Sequence, residues 1–251
     1  MEDLIRCLKV YIERIKRKAP YKEIVCSEKE GGLISGLSLK VKDQAQPGVI
    51  LKENTYLELG NPALSNCAFL LTTSNTSLVE DGKITLIGPD VDGAPSKSLP
   101  FGQVLIAGGQ TLEADDFLSL EPYQYIGDRL EGYMIRSMPG MIWSRISKEA
   151  AAKGFSFEVL GRAMMYLFKK NAPKVELMEV LFLTSSREDV EGLKPIQNGV
   201  KRIKGEVLPK RLKELTGGLY ECSVLDCDNC PDKPVCDSIK DIIVNKKAVR
   251  G

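Results

Sequence analysis

The chain has 251 residues, 43% of them hydrophobic and 27% charged, enough length and apolar content for one large or two modest domains with a real core. Its 35 basic and 34 acidic side chains leave a net charge of +1, which draws it neither to nucleic acid nor to a membrane surface; no nucleic-acid partner is expected. The sequence contains no histidine, so Ser-His-Asp and Cys-His catalysis are excluded and only carboxylate, Lys, Tyr or metal chemistry remains.

In chain order, Leu4, Ile5, Leu8, Ile12 and Ile15 recur at helical spacing and predict an amphipathic helix over 2–18, ended by Pro20. Its basic residues Arg14, Lys16, Arg17 and Lys18 read as a solvated helix end. Short β-rich runs follow at 23–26, 49–52, 55–59, 67–72, 83–87 and 103–107, separated by turn residues, and imply a mixed sheet. Glu80-Asp81-Gly82-Lys83 reads as a hairpin turn, and Gly88-Pro89-Asp90 with Asp92-Gly93-Ala94-Pro95 as an exposed loop. After Gly109 the pattern turns mainly helical, with helices expected at 112–117, 123–134, 148–153 and 157–171, and a strand at 175–184. Ser147 and Gly154 bracket the third of these as N-cap and stop. A last helical stretch starts near Ser186, and basic residues then gather between Lys201 and Lys213.

The chain then reaches Cys222, Cys227, Cys230 and Cys236, spaced C-x4-C-x2-C-x5-C. Without imidazole, a metal here is held by thiolates alone, and the soft-ligand candidates are a 4Fe-4S cluster and a tetrahedral zinc. Clustering of all four in one short run favours the iron–sulfur reading over zinc, which usually takes two separated C-x2-C pairs; unmetallated thiols are the third reading. Met1-Glu2-Asp3 opens acidic with no apolar run after it, which argues against a secreted disulfide framework and for a cytoplasmic protein. Leu177 to Leu183 is far too short to span a membrane and carries Glu179, so no membrane partner is expected. Cys7, Cys26 and Cys67 stand singly in apolar surroundings and are expected to be buried thiols. No full G-x-G-x-x-G in a strand-to-helix setting and no G-x-x-x-x-G-K-[ST] occurs, so a nucleotide fold has no support.

Several non-periodic segments run in a recognisable order. They are Tyr56-Leu57-Glu58-Leu59-Gly60, then 80–92 with Gly88-Pro89-Asp90 at its heart, Leu99-Pro100-Phe101-Gly102, Glu131-Gly132-Tyr133 and the long stretch from Trp143 to Gly154. In these, over roughly residues 50 to 236, the chain resembles the middle domain of the acetyl-CoA synthase subunit of the carbon monoxide dehydrogenase/acetyl-CoA synthase complex. The resemblance implies coenzyme A binding through a tryptophan, matched by Trp143, and nearby arginines, of which Arg145 is retained. Where the family carries a polar His- and Arg-containing stretch before this tryptophan, the chain has Ile135-Arg136-Ser137-Met138-Pro139-Gly140, in which Arg136 is the candidate to compensate. A plain packing reading stands beside this one, with Trp143 as a core or interface residue and Arg145 paired to a carboxylate.

The family's nickel–iron–sulfur site opens with a cysteine run that this chain matches in part. Cys227 and Cys236 keep a C-x8-C spacing, Cys222 stands near the family's first cysteine, and Cys230 has no counterpart. The Cys-Gly-Cys that holds nickel in the family is absent, and an in-run fourth thiolate is what a self-contained cubane needs. The expectation is an α+β protein, a mixed β-sheet flanked by helices with a C-terminal Cys-rich cluster-binding loop. Its parts are a helix and connector over 1–45, an acetyl-CoA-synthase-like domain over 46–205 and a metal-binding tail over 206–251. The expected function is that of an iron–sulfur accessory or electron-transfer component of anaerobic one-carbon metabolism, partnered by a protein of the CO dehydrogenase/acetyl-CoA synthase or corrinoid-protein type. Two alternatives stand: a coenzyme A or acyl-binding enzyme subunit that takes its reactive metal from a partner chain, and a zinc-stapled scaffold.

Overall fold

The computed structural model of the chain describes residues 1–26, 32–44, 49–138 and 140–215. Residues 1–205 form one compact unit. A second unit, Glu206–Gly251, contributes to the described residues only the end of the last helix. The fold is α+β, built on two sheets.

The larger sheet has the order β1 (Tyr21–Val25), β4 (Lys83–Ile87), β9 (Leu177–Leu183), β6 (Phe101–Gly108), β3 (Asn66–Thr73). β4 pairs with β9, and β3 with β6, in parallel, while β1–β4 and β6–β9 are antiparallel. β3 and β6 are buried along their whole length, which is why Cys67-Ala68-Phe69-Leu70-Leu71 reads as an unbroken apolar run rather than an alternation. Helices cover both faces. On one, α4 (Phe157–Asn171) sets Phe157 against Phe101 and Phe182, with ring centroids 5.7 and 5.0 Å apart. On the other, α1 (Glu2–Lys16) buries Ile5, Leu8 and Ile15, and its Lys9 reaches Glu179 of β9 at 3.3 Å.

The smaller sheet has the order β5 (Ser98–Leu99), β2 (Thr55–Leu59), β8 (Met141–Ser147), β7 (Tyr133–Met138). Its inner side is made by Leu57, Leu59, Ile142 and Ile146, all buried in the common core. Gly60 closes β2 at φ +68°, and a Cβ there would fall 2.2 Å from the Ile142 carbonyl oxygen, so only glycine lets β2 run this close to β8.

Three local expectations are corrected. Glu80–Lys83 is a turn, closed by Lys83 N–H donating to Glu80 O, but not a hairpin: β4 pairs with β1 and β9, never with β3. The run 49–52 is no strand; Val49 and Leu51 lie exposed ahead of a single 3-10 turn at Lys52–Asn54. The helix expected over 123–134 is a 3-10 stretch at Glu121–Arg129, with Pro122 in its first turn and Gly127 within it, and Tyr133 already belongs to β7. The loop after β4 is more than turn chemistry. Asp90 Oδ1 accepts from Val91 N at 2.8 Å and from Phe157 N at 3.0 Å, so it caps the start of α4. The remaining helices are α2 (Asp116–Leu120), α3 (Lys148–Ala152), α5 (Arg187–Glu191) and α6 (Lys194–Leu215). Ser147, Ser156 and Ser186 cap α3, α4 and α5 through their hydroxyls. No helix among the described residues is long and apolar enough to cross a membrane.

Candidate functional site

Alternation along β8 separates core from surface. Ile142, Ser144 and Ile146 point inward and are buried, whereas Met141, Trp143, Arg145 and Ser147 lie on the outer face of the smaller sheet. Pairing in register puts Arg136 of β7 directly across from Trp143, and places Arg145 between Met134 of β7 and Glu58 of β2. Two guanidinium groups therefore flank one indole. Arg136 Cζ lies 5.1 Å and Arg145 Cζ 5.4 Å from the centroid of the Trp143 ring, within the range of attraction between a cation and an aromatic face.

The two arginines differ in what else they touch. Arg145 is 14% exposed; its Nε donates to Glu58 Oε1 at 3.1 Å and its Nη1 to the Ile50 carbonyl at 3.1 Å. Glu58 is fixed in turn, its Oε2 accepting from Asn61 Nδ2 at 2.9 Å and from Ser98 Oγ at 3.5 Å. Burial works to raise the Glu58 pKa, but hydrogen bonding by Asn61 and Arg145 and the nearness of the Trp143 indole outweigh it and hold the carboxyl below its usual range. Trp143 Nε1 itself is buried and makes no hydrogen bond of regular geometry. Arg136 is exposed and pairs with no carboxylate among the described residues. The half-buried Trp143 is thus a surface residue of the smaller sheet rather than part of the core.

The same face continues toward Tyr56, two residues from Glu58 on β2 and 42% exposed. Tyr56 opens onto a cleft of about 490 Å³, whose other walls include Lys22, Asp92, Lys148 and Phe155. At the opposite end, the turn between β7 and β8 is tied down by α6, where Gln197 Nε2 donates to Gly140 O at 2.6 Å and to Ala68 O at 2.9 Å.

Cys222, Cys227, Cys230 and Cys236 lie outside the described residues, as does the expected C-terminal loop. Among the described residues no group of three or more Cys, Asp or Glu side chains is placed to hold a metal ion. Of the single cysteines, Cys67 is buried, Cys26 is half-buried and Cys7 is exposed. The expectation of a buried thiol fails for Cys7 because the apolar stripe of α1 runs through Ile5, Leu8 and Ile15 and leaves position 7 outside it.

Sequence reading offered Arg136 as a substitute for the family's polar stretch but could not place it against Trp143, and it missed the strand that carries Trp143. The signal available was weak: a glycine turn at Gly140, which sits at φ +75°, followed by the β-formers Ile142, Trp143 and Ile146.

The architecture is that of an α+β domain presenting an aromatic residue between two arginines on an open sheet face. A family model described as CO dehydrogenase/acetyl-CoA synthase complex beta subunit matches residues 41–190, more than half of the chain, and the chain belongs to that family. Among curated relatives, the acetyl-CoA decarbonylase/synthase complex subunit beta 2 of Methanosarcina thermophila is 34% identical over 142 residues, 55% of this chain and 30% of that protein. The subunit beta of Archaeoglobus fulgidus is 32% identical over 138 residues, 54% and 26% of the two chains. The carbon monoxide dehydrogenase/acetyl-CoA synthase subunit alpha of Moorella thermoacetica is 30% identical over 198 residues, 74% and 26% of the two. The chain thus spans less than a third of the length of these relatives.

Proposed function

We propose that this protein works in anaerobic carbon monoxide and acetyl-CoA metabolism as a component that binds coenzyme A or its acyl derivative on the Trp143 face and carries a 4Fe-4S cluster on Cys222, Cys227, Cys230 and Cys236. The observation that carries the first half is the exposed Arg136 over Trp143, beside Arg145: a flat apolar ring with an accessible cation suits a ligand that joins an anionic phosphate end to a less polar arm. The relatives named for acetyl-CoA chemistry support the choice of ligand. Bound coenzyme A would supply the thiol that accepts or releases an acyl group; the residues here hold and orient it. The reactive metal for acyl chemistry comes, in this reading, from a partner chain of the CO dehydrogenase/acetyl-CoA synthase or corrinoid-protein type.

The second half rests on the donor set. Four thiolates in one short run of a histidine-free chain match the all-sulfur ligation of a cubane cluster, and such a cluster gives the protein an accessory or electron-transfer role. A structural zinc on the same four thiolates is the competing reading, and it would contribute folding energy alone.

Trp143 is the only tryptophan, so its fluorescence reports on this face alone. Titration with coenzyme A is expected to give a saturable change, and its absence would remove the ligand-binding half. Anaerobic purification followed by metal analysis is expected to return about four irons and four sulfides per chain. One zinc and no sulfide would replace the cluster with a scaffold role.

A further inference from the structure

We infer that the two arginines beside Trp143 have separate tasks: Arg136 is the anion-binding residue of the face, and Arg145 is a positioning residue that fixes the indole. This rests on the reading that the Trp143 face takes coenzyme A, and it reverses the expectation that Arg145 makes the ligand contact.

Arg145 is held away from a ligand by its partners and by its burial, although bonds to Glu58 and Ile50 O take only part of its donor set. Its Nε is bound to Glu58 and its Nη1 to Ile50 O, and both it and Glu58 are largely shielded from water. Turning it outward would strand a shielded carboxylate that Asn61 and Ser98 hold in place, and an uncompensated charge of that kind is costly. What Arg145 does supply is one wall for the indole, 5.4 Å from the ring centroid, and it also organises Glu58 next to the indole N–H.

Arg136 is placed in the opposite way. Its position is set by backbone register against Trp143, with no carboxylate among the described residues to hold it, and its side chain is exposed. A guanidinium resting over an aromatic face keeps its N–H donors free for two parallel bonds to a phosphate, a geometry that lysine cannot copy. The Gly140 turn a few residues away is anchored through Gln197 to β3, so Arg136 is offered from a hairpin fixed at its tip. The ligand class follows: a molecule with a phosphate or pyrophosphate group within reach of an aromatic platform.

The test is a fluorescence titration of the full chain with coenzyme A and with pantetheine, which lacks the phosphates, on wild type, Arg136→Gln, Arg136→Lys, Arg145→Gln and Glu58→Gln. Loss of one charge-assisted bidentate contact is expected to weaken coenzyme A binding on the order of tenfold or more in Arg136→Gln, with Arg136→Lys in between and pantetheine binding unchanged. Arg145→Gln and Glu58→Gln are expected to shift the Trp143 emission of the ligand-free protein, which Arg136→Gln leaves folded and similarly stable. Wild-type binding of coenzyme A with equal affinity in Arg136→Gln would overturn this inference and leave the proposed function standing. So would loss of binding in Arg145→Gln with free-protein emission unchanged, since that marks Arg145 as the contact. No saturable change in wild type would overturn both.

Discussion

Gln197 on α6 and Gly140 at the tip of the β7–β8 hairpin are joined by a hydrogen bond of 2.6 Å, and the same amide nitrogen also donates to Ala68 O of β3 at 2.9 Å. One side chain therefore ties the strand pair bearing Arg136 and Trp143 to the edge of the larger sheet. Gly140 is strained for any other residue at its φ of +75°, and a Cβ there would push on Gln197 Nε2, 2.9 Å away, and so on this hydrogen bond.

Replacing Gln197 by Met keeps the volume but removes the donor to Ala68 O and leaves Gly140 O only its 3.4 Å bond from Ala68 N, at a site where Gln197 is 6% exposed. The cost is expected to be about 1–3 kcal/mol in urea unfolding, with faster amide exchange in the β7–β8 hairpin than in β3 and β6. A variant as stable as wild type with unchanged hairpin exchange would show that the tie contributes nothing.

The Glu58 carboxyl is held below its ordinary pKa despite its burial, through Asn61, Arg145 and the neighbouring indole. A carboxyl with a depressed folded pKa contributes its full stabilisation above the unfolded value, about 4.3 for glutamate, and loses it as the pH falls through the lower folded value. Trp143 emission is thus expected to stay flat from neutral pH down to the ordinary glutamate range and to change only below it, as Arg145 is released. Glu58→Gln should abolish that acid transition; a transition that persists in the variant belongs to another group.

Gly161 sits where α4 crosses β4. A Cβ there would lie 2.8 Å from Ile84 Cδ1, 3.0 Å from Cγ1 and 3.2 Å from Cγ2, too close for three atoms of a buried side chain at once. Alanine gains about 1 kcal/mol of helix propensity but overpacks the contact, typically at about 1–3 kcal/mol. Gly161→Ala is expected to destabilise, and adding Ile84→Val should recover part of the loss, so that the double variant is more stable than the sum of the singles. Strict additivity would rule out the contact as the cause.

The three single cysteines should separate by reactivity. Cys67 is fully buried and burial pushes its thiol up to about 12, whereas Cys7 is exposed on α1. Alkylation of the native protein near pH 8, read by peptide mass spectrometry, is expected to label Cys7 well before Cys67, with the order lost in denaturant. Early labelling of Cys67 would mean that β3 opens far more readily than its burial implies.

Residues whose local pattern and tertiary environment agree could be read from the chain. The strands at 55–59 and 83–87 and the helix at 157–171 stand where periodicity and caps put them, because each has a clear apolar face and a capping or turn residue at its start. Trp143 and Arg145 were visible as residues, but their strand was not. Its central inward position is Ser144, buried yet polar, so the alternation that marks a strand is broken at its midpoint. The 3-10 stretch at Glu121–Arg129 deceived in the other direction, its buried Ile126 and neighbouring tyrosines imitating a helical stripe. Arg136 stood in the sequence as a candidate substitute, but its place across from Trp143 comes from register, a relation between two strands that no single-strand pattern contains. Cys222, Cys227, Cys230 and Cys236 remain a statement about donor chemistry, made by spacing alone.

On β8 the side chains that meet solvent and those that build the core take turns residue by residue. The outward position 136 can therefore be substituted while the packing behind it stays the same, whereas Arg145 on the same face is bound to Glu58 and Ile50 O. Insertion or deletion of one residue within Met141–Ser147 has the opposite effect, sending the indole and the guanidinium into the apolar interior and Ile142 and Ile146 into water. Within this strand, chain length is the quantity that the fold constrains most tightly, so variation along it is expected as substitution and not as insertion or deletion.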